Sequence, residues 1–126
     1  VSALGELAAQ LRGEDTPISP HVVDPGEEQA FAPQGEYELV LEAVREGYLL
    51  HYGEPRLLAG HDDDLALLAG DYLYALGIER LAARGDTRAV HILADLISTC
   101  AQLHSEGRED QVEGVWRRCT QEIATR

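Results

Sequence analysis

The sequence predicts an all-α fold, about five helices packed around one central buried helix, and three observations carry that expectation. Apolar residues recur at helical spacing in separate stretches along the chain. No stretch alternates convincingly as a strand. Residues 65–78, LALLAGDYLYALGI, are apolar or small on every side except at Asp71. A helix apolar all round belongs in an interior, so this one is placed at the centre with the others laid around it.

Taken in order, Ser2 to Arg12 carries Leu4, Leu7, Ala8 and Leu11 at i, i+3, i+4 and i+7, a short amphipathic helix. The period then dissolves, and Pro17, Pro20, Pro25 and Pro33 fall between residues 13 and 35. So long a structureless connection marks a linker or a functional loop. The organisation expected is an N-terminal helix over 1–12, a Pro/Gly-rich linker or loop over 13–35 and a helical domain over 36–126.

From Glu36 to Tyr52 a second helix sets Tyr37, Val40, Leu41, Val44 and Tyr48 on one face. Glu38, Glu42, Arg45 and Glu46 read as its solvated face, and Gly53 and Pro55 stop it. The apolar helix runs from about Asp62 to Arg84 and ends at Gly85, the residue favoured just past a helix C-terminus. Asp86 caps a fourth helix reaching Ser105. Its polar face is Arg88, His91, Asp95, Ser98 and Gln102, opposite Val90, Leu93, Ile97 and Cys100. A fifth begins near Glu109 with an apolar stripe of Val112, Val115, Trp116, Cys119 and Ile123.

Composition excludes several functions. A formal net charge of -13 argues against nucleic acid or an anionic membrane surface as partner, since both need clustered basic side chains. Every basic residue is Arg. Without Lys, neither a Schiff base nor a phosphate-binding P-loop is possible. No apolar run reaches the roughly 18 residues a membrane helix needs, and no basic-then-apolar leader opens the chain. Cys100 and Cys119 form no CxxC pair and read as free structural thiols, which suits a reducing, cytoplasmic location.

His61, Asp62, Asp63 and Asp64 form the densest cluster of metal-ligand types. At a helix start the same acids cap free N–H groups and complement the dipole. Successive helical residues point about 100° apart, so three consecutive Asp cannot chelate one ion together. Glu109, Asp110 and Glu113 at the start of the fifth helix read the same way. No nucleophile with a visible base appears: there is no HExxH arrangement and no GxSxG elbow. No cofactor is expected in this chain.

Asp71 is the conspicuous charge. An ionised carboxylate inside a buried helix must find a partner or protonate, which makes Asp71 either a packing hub or part of a site. Gly70 and Gly77 lie one heptad apart with Ala69 nearby, so one side of this helix is stripped of bulk and admits another helix closely. Each glycine costs about 1 kcal/mol relative to Ala, a loss that close packing or a cavity must offset. If the partner helix lies outside this chain, it belongs to another subunit. Ala69, Gly70, Asp71, Tyr72 and Gly77 are accordingly the candidate subunit contact or cavity wall.

The stretch LLAGDYLYALGIERLA, Leu67 to Ala82, resembles the helix of trans-polyprenyl diphosphate synthases that carries an LAGDxLLA pattern. LADLISTCAQLHSEG, Leu93 to Gly107, is similar to that family's next helix. The family's active members hold Mg2+ and an allylic diphosphate through two DDxxD motifs, and this chain has neither. Four residues beyond Asp62 stands Ala66, and four beyond Asp63 stands Leu67, not Asp and not catalytic.

What the resemblance implies is therefore the short, non-catalytic small subunit of a heterodimeric long-chain prenyl synthase. Such a subunit pairs with a catalytic large subunit that supplies the aspartate motifs and the Mg2+, and it affects product length in making the isoprenoid side chain of menaquinone. Two other readings stand beside it. One is an HD-type metal-dependent phosphohydrolase with His61 and Asp62 as ligands alongside His21 or His51. The other is a small α-helical module of self-association or interaction.

Overall fold

In the computed structural model, which describes residues 2–125, three helices start where a side chain takes up a free backbone N–H group. Ser2 Oγ accepts from the Gly5 N–H at 3.0 Å and opens α1, Ala3–Gly13. Asp62 Oδ1 accepts from the Leu65 N–H at 2.8 Å and opens α3, Asp63–Ala83. Asp86 Oδ1 accepts from the Ala89 N–H at 3.1 Å and opens α4, Thr87–Ser105. The remaining helices are α2, Glu38–Tyr52, and α5, Val112–Ala124.

Two helices stop at a glycine of positive φ. Gly85 has φ +72° and Gly107 φ +71°. The amides that follow them, on Asp86 and Arg108, reach back to the Leu81 and Leu103 carbonyls at 3.0 and 2.8 Å, closing the terminal turns. Among the described residues the fold is thus all-α with five helices, and extended pairing is limited to one isolated antiparallel bridge, Val22 with Leu58.

The chain divides into two compact units, Val1–Gly77 and Ile78–Arg126, with the boundary inside α3. In the first, Leu4, Leu7, Ala8 and Leu11 of α1 form one core with Ala43 and Leu50 of α2 and Ala69 and Leu73 of α3. The proline-rich segment joins that core through Ile18, and backbone bonds from Val23 to Leu57 (2.8 Å) and from Ala59 to His21 (3.0 Å) tie it down. Short 3-10 turns at Ser19–His21 and Glu27–Gln29 punctuate it.

Burial along α2 and α3 differs from the pattern their sequences suggest. The helix with the supposed acidic solvent face, α2, buries Glu42 and Glu46 completely, along with Val40, Leu41, Ala43, Val44, Gly47, Tyr48 and Leu50. The helix that reads as apolar all round, α3, leaves Asp64, Leu67, Leu68, Asp71 and Ala75 exposed. The centrally buried helix of this unit is α2. Periodicity alone cannot see this, because Arg56, the cation that permits burial of the α2 acids, lies in the loop beyond the helix.

In the second unit α4 packs against α5. Ala89, Leu93, Leu96, Cys100 and Leu103 are buried on one helix, and Val112, Trp116, Cys119 and Ile123 on the other. Arg88 is not simply solvated: it donates to the carbonyls of Glu122 (3.1 Å) and Ile123 (2.6 Å), satisfying acceptors that the end of α5 leaves open. Residues Glu109–Gln111 form a 3-10 turn that leads into α5.

Candidate functional site

The acidic cluster before α3 is a helix start. Asp62 is the cap, and Asp63 and Asp64 stand exposed in the first turn, where their charge complements the helix dipole. His21 and His51 have other engagements. His21 Nδ1 lies 3.1 Å from the Ala59 carbonyl, and His51 Nε2 lies 3.1 Å from the Leu67 carbonyl and 3.3 Å from Asp71 Oδ1. Both neighbours of that nitrogen are acceptors, which assigns the ring proton to Nε2. Among the described residues no group of three or more His, Cys, Asp or Glu side chains is placed to hold a metal ion.

The bare side of α3 has its partner within this chain. A methyl group at Gly70 would collide with the His51 ring of α2, and one at Gly47 of α2 would come within 2.8 Å of the Gly70 carbonyl and of Tyr74. A methyl at Gly77 would lie 2.8 Å from Val44 Cγ2. Helices α2 and α3 therefore cross backbone to backbone, which offsets the intrinsic cost of glycine in a helix. Ala69 is fully buried in the same core. Tyr72 turns toward α1 and donates its hydroxyl proton to Glu14 Oε2 at 2.7 Å; burial first, then the bond to Glu14 and its charge, push the phenol up to about 12.

Asp71 is not the buried charge that its helix suggests. Its side chain is 73% exposed while touching His51, so water supplies most of its solvation. On the same side lie Asp64, Leu67, Leu68 and Ala75, and at about 100° per residue these five share one stripe. Leu67 and Leu68 are 54% and 56% exposed, the most exposed large apolar side chains described. This stripe is the candidate site, and of the residues singled out from sequence only Asp64 and Asp71 lie on it.

Patterning passes over one conspicuous constellation. Arg56 donates through Nε to Glu46 Oε1 (2.9 Å) and through Nη1 to Glu42 Oε1 (2.6 Å) and to the Gln29 carbonyl (3.0 Å). The second carboxylate oxygens are also used. Glu42 Oε2 accepts from the Phe31 and Ala32 amides, and Glu46 Oε2 from those of Arg56 and Leu57. The triad fastens two loops to α2. One sequence signal points to it: Glu46 lies three residues after Ala43 and four before Leu50, on an apolar face.

Both cysteines are buried, and burial, then nearby Glu122 and Cys100, push the Cys119 thiol up to about 12, away from nucleophilic use. Comparison with protein-family models, with curated proteins and with solved structures finds no match to this chain.

Proposed function

We propose that this chain is a non-catalytic subunit that acts by contact, pairing with a catalytic polyprenyl diphosphate synthase subunit through the outer stripe of α3. The observation that carries the reading is the Leu67–Leu68 pair, exposed on the very helix whose sequence resembles the synthase family. Covering two half-exposed leucines is favourable at about 25 cal/mol per Å2 of apolar surface, and an interface is where such residues find cover. The glycines serve the α2 crossing, so the contact moves from Gly70 and Gly77 to Leu67, Leu68 and Asp71. Mg2+ and both aspartate motifs then belong to the partner.

The test is reconstitution. The full chain is mixed with a synthase large subunit bearing two DDxxD motifs, and incorporation of labelled isopentenyl diphosphate into long-chain product is followed. Product is expected only with both chains present, and Leu68→Ser is expected to diminish it. Long-chain product from this chain alone, or a large subunit whose activity and product length ignore it, would overturn the proposal.

A further inference from the structure

We infer that the α3 stripe receives an amphipathic helix of a different protein, one whose apolar contact residues are bordered by Arg or Lys about two helical turns apart. The inference rests on the proposed contact role of this face and adds the chemistry of what covers it. Asp64 precedes the exposed leucines by one turn and Asp71 follows them by one turn. Seven residues at about 1.5 Å each set the two carboxylates about 10 Å apart along the axis, with the apolar pair between them. Asp62 and Asp63 extend the negative end, and no basic residue of α3 occurs before Arg80.

Charge decides among the occupants. In a second copy of this chain, antiparallel packing sets Asp64 against Asp71 and parallel packing sets each acid against its twin, so like charges meet in either orientation. A chain with formal net charge -13 adds to that repulsion at longer range. An anionic membrane surface is disfavoured by the same sign. A helix with leucines at its centre and guanidinium groups at the border covers Leu67 and Leu68 and meets both carboxylates, which gives specificity and a faster encounter.

The test uses the full chain and a fluorescent helical peptide of about 18 residues, with leucines at i, i+3, i+4 and i+7 and flanking arginines. Its control carries glutamate in place of each arginine. Anisotropy should show the arginine peptide binding, at least about tenfold more weakly in 0.5 M than in 0.05 M salt because screening shortens the reach of the carboxylates. Asp64→Arg and Leu68→Ser, both at exposed positions, should each weaken it further. Equal binding of the two peptides, binding of neither, indifference to both substitutions, or a homodimer in sedimentation that Leu68→Ser disrupts would overturn the inference. Peptide binding without capture of any synthase subunit would sink the synthase reading alone. A synthase complex that both substitutions leave intact would overturn the present inference and the stripe's part in the proposed pairing, while the pairing itself would stand.

Discussion

Replacing Arg56 with methionine leaves Glu42 and Glu46 buried with no cation between them. Both carboxylates have essentially no exposure and Arg56 is 8% exposed, so water cannot take over the role of the lost guanidinium. Removing one partner of a buried ion pair costs about 3–5 kcal/mol, a large share of the roughly 5–15 kcal/mol that holds a domain folded. With a urea slope of about 1–3 kcal/mol per M, the midpoint of denaturation should fall by about 2 M.

The variant Glu42→Gln/Glu46→Gln/Arg56→Met keeps oxygen acceptors for the four backbone amides and removes the charges, so it should recover more than half of that loss. A cost for Arg56→Met below about 1 kcal/mol, or a triple variant no better than the single one, would refute the charge-burial reasoning.

Three further outcomes are expected. Gly47→Ala should destabilise by about 1–3 kcal/mol, since the new methyl meets a backbone carbonyl that cannot turn aside. Gly114→Ala, where the methyl meets nothing within 4 Å, should stabilise α5 by up to about 1 kcal/mol, and thermal melts compare the two. Tyr72 should be the late riser in a 295 nm alkaline titration: its folded value, about 12, exceeds the ordinary 10.0, so its contribution is complete below pH 10.0 and is lost as pH rises through about 12. Tyr72→Phe should remove that late step and cost about 1 kcal/mol. Cys100 and Cys119 should resist a thiol reagent in the native protein and react together on unfolding, the opposite of what a reactive thiol would do.

Helix starts and stops were the most legible part of this sequence, because caps are local: Ser2, Asp62, Asp86 and Gly85 act within a few residues of where they stand. Burial was legible only where its cause is local too. The stripe of α5 could be read from spacing alone, since Val112, Trp116, Cys119 and Ile123 need only one apolar neighbour surface. Glu42 and Glu46 could not, because their burial depends on Arg56, separated from them by a loop and reached only in three dimensions. The candidate stripe was hidden for the converse reason. Leu67 and Leu68 read as core residues by type, yet the side of α3 that meets α2 is chosen by small residues, Gly70 and Gly77, and this turns the leucines outward.

Glu42 holds the loop that precedes α2 by the amides of Phe31 and Ala32, not by their side chains. A clasp on the main chain is blind to sequence. Side chains at 31 and 32 are thus free to diverge among descendants of this protein as far as Glu42 is concerned, whereas proline, which has no N–H to offer, is barred from both places. Pro33 stands one position beyond the limit and Pro55 one position before the matching amides of Arg56 and Leu57. The two loops can therefore be rigid and proline-bearing up to the edge of each clasp, and a substitution map of this protein should show position 32 as a sharp gap for proline alone, whereas Phe31, Arg56 and Leu57 are held by their side chains as well.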